Sequence, residues 1–330
     1  MARFIKTLKK TALAASIASL ATVANATIVT SIKPLGFIAS SIADGVTDTE
    51  VLVPAGASPH DYSLKPSDIQ KLQGAELILW VGEDIDAFLD KTLRPMPFKK
   101  VLSIADFAEI GGLLEGEAHD HKHEHDHTHT HTHTHKHDHD HKHDHEHKHD
   151  HAHGHEHDHS TNWHVWYSPE ISKIVATRLA TRLTEAYPEK KEKIAQNLAE
   201  FNRTLAEQSE KIKQQLAPVK EKGFYVFHDA YSYFNNAYGL KQTGYFTINP
   251  LVAPGAKTLA KIKQEIKEHK VNCLFAEPQF TPKVIESLSK GTGVHVGRLD
   301  PMGDAVKLGV NSYANFLQYT ADSYFACLSK

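Results

Sequence analysis

Between residues 119 and 159 every odd-numbered position is histidine, in a run that opens HDHKHEHDHTHTHTHTHKHDHD and closes HEHDH. The run holds 21 histidines, and between them stand ten acidic residues, four lysines and four threonines, with almost nothing apolar. Such a stretch cannot bury enough surface to offset the entropy of ordering it, so it predicts a disordered insertion. Whatever core the chain builds must come from the sequence on either side.

That flanking sequence alternates between two periods. Before the run, TIVTSI, TEVLVP, AELILWVG and KKVLSIA read as strands, and LGFIASSIADG, KPSDIQKLQGA and DIDAFLDKTL as helices. After it come two strongly helical stretches within 169–216. The first plan then repeats, with strands GFYVF, QTGYFTI, VNCLFAE and GVHVGRL separated by helices, and a last helix NSYANFLQYTADSYFACLS. Alternation of this kind predicts an α/β fold of two similar lobes, each a mostly parallel sheet covered by helices. The expected division is 27–167 and 188–330, with a connecting helix at 168–187.

The first 26 residues read differently. A basic start, MARFIKTLKK, leads into TALAASIASLATV and ends in ANA. This is the pattern of a secretory signal cut after Ala26, and the apolar stretch is shorter than the ~20 residues a membrane span needs. The formal net charge of −3 gives no reason to expect nucleic acid. Two cysteines, Cys273 and Cys327, make an even count in a chain read as exported, which points to one disulfide, with two buried thiols as the alternative.

Five of the 26 histidines lie outside the run: His60, His164, His228, His269 and His295. His269 ends a helix rich in lysine and glutamate and reads as a solvated residue; His295 lies inside a strand and reads as a packed one. His60 and His228 follow predicted strands, one in each lobe, and so does Asp300. Ligands of open α/β sheets sit outside the carboxyl ends of the strands, so these residues can converge between the lobes. His164 follows the insertion, between Trp163 and Trp166. Three imidazoles with a carboxylate or a water suit Zn²⁺. Asp61 and Asp229 each follow a candidate ligand, as orienting partners or as helix caps. Trp163, Trp166 and Tyr167 can wall the site or belong to the core.

Four stretches, PAGASPHDYSLKPSD, WHVWYSP, FHDAYSYF and RLDPMGD, resemble landmarks of the cluster A-I (TroA-like) solute-binding proteins of metal ABC transporters, in the family's order. The match is closest to the family's periplasmic zinc branch. The resemblance implies two α/β lobes joined by a long rigid helix, with the metal in the cleft between them. It implies His60, His164 and His228 as metal ligands, with Asp300 or a water completing the sphere. Histidine at 228, where manganese carriers have a carboxylate, favours zinc, because manganese prefers oxygen donors. Some zinc members carry an acidic residue just before the first histidine; here it is Pro59. A histidine-rich insertion and a disulfide matching Cys273–Cys327 are likewise features of the zinc branch.

The expected function is thus capture of Zn²⁺ in the periplasm and delivery to a membrane permease with its ATPase, by a monomer that catalyses nothing. The alternatives are a manganese or iron subunit of a related importer, a metal buffer that feeds no permease, and a zinc hydrolase. Against the hydrolase, H-E-x-x-H occurs only inside the histidine run, as a by-product of its alternation, and none lies in the flanking sequence. In an extended chain the 21 imidazoles of the run would share one face, whereas a helix turns about 200° every two residues and scatters them. Neighbouring pairs can then hold zinc in many equivalent registers, at lower affinity than a preorganised pocket. The expectation is a collector for the cleft, with a sensor of plentiful zinc and a merely solvated insertion as rivals.

Overall fold

A computed structural model describes residues 27–116, 161–280 and 283–330. The leader at 1–26 and the histidine run at 119–159 lie outside the described residues. The first lobe is built from β1 (Thr27–Thr30), α1 (Lys33–Ile42), β2 (Asp48–Val51), α2 (Pro66–Gly74), β3 (Leu77–Trp80), α3 (Glu83–Asp86), α4 (Asp90–Leu93) and β4 (Val101–Ser103). A short antiparallel pair, β5 (Glu115–Gly116) and β6 (Thr161–Asn162), closes it. Two helices follow, α5 (Pro169–Ala186) and α6 (Lys191–Leu216). The second lobe holds β7 (Phe224–His228), α7 (Ser232–Tyr238), β8 (Gln242–Thr247), α8 (Ala256–Lys267), β9 (Cys273–Ala276), α9 (Lys283–Thr292), β10 (His295–Arg298) and α10 (Ser312–Leu328).

Each lobe carries a four-stranded parallel sheet, in the order β2-β1-β3-β4 and β10-β9-β7-β8. Numbered within its own lobe, each sheet has the same order, second-first-third-fourth. Central strands β3, β7 and β9 are buried along their whole length, as parallel strands covered on both faces must be. Edge strands β2 and β10 are partly exposed.

The sequence reads 84–93 as a single helix, DIDAFLDKTL. The structure breaks it into α3, a 3-10 turn at Ala87–Leu89 and α4. Asp86 is the cause. Its carboxylate turns inward, where Oδ2 accepts from Ser31 Oγ and from the Val81 N–H, both at 2.8 Å.

Ser168 caps α5, its side chain accepting from the Ile171 N–H, and Pro169 opens the helix with its φ already set. The sequence puts the connector at 168–187, the span of α5. The 26-residue α6 that follows, about 39 Å long, runs on to join the lobes. It buries Ile194, Phe201, Leu205, Ile212 and Leu216 at helical spacing. Its Asn197 donates to the carbonyls of Ile42 and Asp44, the loose end of α1. The last helix, α10, packs on α1 of the first lobe and on β10 of the second. One continuous apolar core therefore runs through both lobes, from Ile28 and Phe37 to Phe224, Phe316 and Tyr324. A disulfide joins Cys273 of β9 to Cys327 of α10, with Cα atoms 6.2 Å apart.

Candidate metal centre

The carboxyl ends of the two sheets face each other, and three histidines meet there. His60 stands in a 3-10 turn, Pro59–Asp61, entered through Ser58, whose Oγ accepts from the His60 N–H at 3.3 Å. His164 follows β6, and His228 is the last residue of β7. Ring centroids are 5.0 Å apart for His164–His228, 5.6 Å for His60–His164 and 5.7 Å for His60–His228. One ring nitrogen of each lies within 4.8 Å of the others. His60 is half-buried, and the other two are buried.

Hydrogen bonds fix two of the rings. His228 Nδ1 lies 2.8 Å from both oxygens of Glu277, a buried carboxylate that also accepts from Tyr231 Oη at 3.0 Å. His164 Nδ1 lies 2.7 Å from Asn162 Oδ1. The Asn162 amide is itself oriented, because its Nδ2 donates to the Asp229 carbonyl at 2.8 Å and its Oδ1 accepts the His164 N–H. Carboxylate and amide oxygens only accept, so in the neutral rings both Nδ1 atoms carry the proton. Both Nε2 atoms then present lone pairs, and they stand 3.2 Å apart. Two lone pairs so placed repel unless a cation lies between them. Nitrogens bound at ~2.0–2.1 Å to a tetrahedral zinc stand about 3.3 Å from each other, which is the spacing seen here.

Burial favours the neutral, metal-binding form. It lowers the His60 pKa to about 3, helped by the nearby His228 ring. Burial, with His228 and His60 next in importance, also holds His164 well below the ordinary imidazole value. These two rings, His60 and His164, resist protonation in acid.

Asp300 is buried at the mouth of the loop after β10 but is not among the mutually close ligand atoms. Its Oδ1 accepts from Gln279 Nε2 at 2.8 Å and from the Met302 N–H at 3.0 Å, and its Oδ2 accepts from the Asp304 N–H at 2.7 Å. Asp61 is exposed. Asp229 is buried and accepts from Gln242. The orienting contacts at the rings come instead from Glu277 and Asn162, which reading the sequence alone passes over. A signal for Glu277 is there, since it directly follows β9 at the same sheet edge as His228. Trp166 lines the cavity with its ring 5.2 Å from His164, whereas Tyr167 stacks on Phe316 in the core. Trp163 stands with Asp84 and Asp229 on a second opening that reaches His60 and His164. His269 and His295 are exposed and far from this constellation in the fold, at the end of α8 and on the edge strand β10.

Comparison with known proteins agrees in fold and family. The family described as zinc-uptake complex component A periplasmic, ZnuA, matches residues 28–327. The chain is 68% identical to the high-affinity zinc uptake system protein ZnuA of Haemophilus influenzae, over 98% of this chain and 99% of that one. It is 44% identical to the protein of the same name from Yersinia pestis, over 92% of each. Among solved structures, a crystal structure of ZnuA superimposes with a TM-score of 0.67 at 22% identity, over 92% of this chain and 99% of that one. The periplasmic zinc binding protein TroA from Treponema pallidum gives 0.68 at 17% identity, over 93% of this chain and 100% of that one. By sequence along nearly its whole length, the chain belongs to the ZnuA family of periplasmic zinc-uptake components.

Proposed function

We propose that this protein is the zinc-capturing subunit of an ABC-type importer: it binds Zn²⁺ with high affinity through His60, His164 and His228 and hands it to a membrane permease driven by an ATPase. The observation that carries the reading is the pair of Nε2 atoms of His164 and His228, 3.2 Å apart and held there by Asn162 and Glu277. Zinc is the cargo, and no turnover is expected. The family is periplasmic, and no helix among the described residues is long and apolar enough to cross a membrane. We take the leader to be removed after Ala26.

The run at 119–159 acts in this reading as a weaker collector beside the tight site. Zinc titration of the intact protein and of a form lacking 119–159 tests the whole proposal. One tight site survives the deletion and several weaker ones vanish. In the intact protein, His60→Ala abolishes the tight site and spares the weaker ones. Competition by Mn²⁺ at concentrations comparable to Zn²⁺ would overturn the choice of metal.

A further inference from the structure

We infer that Gln279 accepts a hydrogen bond from the fourth group on the bound zinc, a water, and that Asp300 acts one step back by fixing the Gln279 amide. The inference rests on the reading of the three histidines as ligands. Three imidazoles leave one corner of a tetrahedral zinc open. The small cavity at that corner is walled largely by apolar side chains, Trp166, Phe280, Pro301 and Met302 among them. Gln279 lines it too.

The Gln279 amide has one orientation available. Its Nε2 donates to Asp300 Oδ1 at 2.8 Å, and a carboxylate cannot donate in return, so the carbonyl end must face away from Asp300. That oxygen, Oε1, is buried and has no protein partner. A buried carbonyl without a donor is costly, and a metal-bound water, whose protons are acidified by the ion, is the donor that the cavity would bring to it. Asp300 is meanwhile occupied. Three donors hold its two oxygens, two of them backbone N–H groups of its own loop, so ligating the metal would mean giving up the contacts that shape the loop.

The arrangement also bears on selectivity. A carboxylate in the fourth position adds a hard anionic donor and raises the standing of manganese. A neutral amide acting through water leaves a nitrogen-rich site that suits zinc.

Zinc affinity of the full chain, measured by competition with a chelator tight enough to ignore the run, separates the roles when read on four variants. Gln279→Ala weakens binding about 10–100-fold, the usual effect of losing an outer-shell partner. Asp300→Ala gives a similar loss, and the double variant loses no more than either. Asp300→Asn keeps a carbonyl for Gln279 Nε2 and retains most of the affinity. A crystal structure of the zinc-loaded chain shows a water on zinc within hydrogen-bonding distance of Gln279 Oε1. A direct Asp300–zinc bond, a silent Gln279→Ala, or a folded Asp300→Asn that has lost the tight site each overturns the inference. His60→Ala keeps the two questions apart. If it leaves the tight site intact, the ligand reading fails; if it abolishes the site while Gln279→Ala is silent, only the role of Gln279 fails.

Discussion

Glu277 holds His228 Nδ1 with both oxygens and takes a further hydrogen bond from Tyr231, whose phenol burial keeps protonated. The carboxylate sets the tautomer and makes Nε2 a stronger donor to a metal. Glu277→Gln keeps the shape and removes the charge, so calorimetry should record zinc affinity lower by about 10–100-fold with an unchanged far-ultraviolet circular dichroism spectrum. A second buried acid, Asp86, belongs to the N-terminal lobe and has an opposite character. Burial raises its pKa to about 7, against hydrogen bonds from Val81 and Ser31 that pull it down. The folded state then holds a proton that the unfolded state has lost between pH ~4 and ~7, so this group's contribution to stability falls as pH rises through that window. Asp86→Asn should flatten the profile and leave the variant more stable than the parent at pH 8 by roughly 2–4 kcal/mol, read from urea midpoints at pH 5 and 8. Of these residues the three lone histidines were legible, because strand ends are legible and histidine is rare outside the run. Their partners were not. The Glu277–His228 contact spans 49 residues of sequence, and nothing local marks which acid at a sheet edge will turn inward.

At the level of the elements, strand and helix periods placed the eight sheet strands and most helices from the sequence alone. The break at 83–93 escaped, since it depends on Asp86 reaching Ser31, 55 residues earlier. The disulfide ties β9 to α10 across 54 residues. Replacing both cysteines by serine should cost about 2–4 kcal/mol in chemical denaturation, and leave zinc stoichiometry unchanged, because neither residue touches the cavity. The loop after β10 turns at Gly303, which has φ 62°. A Cβ there would come within 2.6 Å of the Phe316 ring. Gly303→Ala should therefore destabilise the protein by about 1–3 kcal/mol, through strain and overpacking, and shift its melting temperature downward.

Over the whole molecule, the two sheets share one strand order, and each changes winding direction between its first and third strands. Crevices open at such points, and ligands collect there. In the second lobe the crevice holds His228 and Glu277. In the first, the corresponding place beside β1 and β3 is plugged by Asp86 on Ser31 and Val81. One lobe is thus open to a ligand at its switch point and the other closed, a difference that repetition of the pattern does not disclose. The shared core and the bracing by α6 and α10 leave little room for a hinge. Small-angle scattering of metal-free and zinc-loaded protein should give superimposable profiles; wide opening of the lobes on metal removal would contradict this account.

His60, His164 and His228 come from three stretches of chain remote in sequence, and a metal shared among them would be a reversible cross-link. An ion that binds only the folded form adds RT ln(1 + [Zn]/Kd) to its stability, about 4 kcal/mol at a thousand times Kd. Cargo would then govern lifetime as well as delivery. The empty carrier would be the form that opens and is cleaved, and the loaded one the form that endures, so scarcity of zinc would shorten the survival of the protein that seeks it. Limited proteolysis with and without bound zinc reads this directly, as a ratio of cleavage rates.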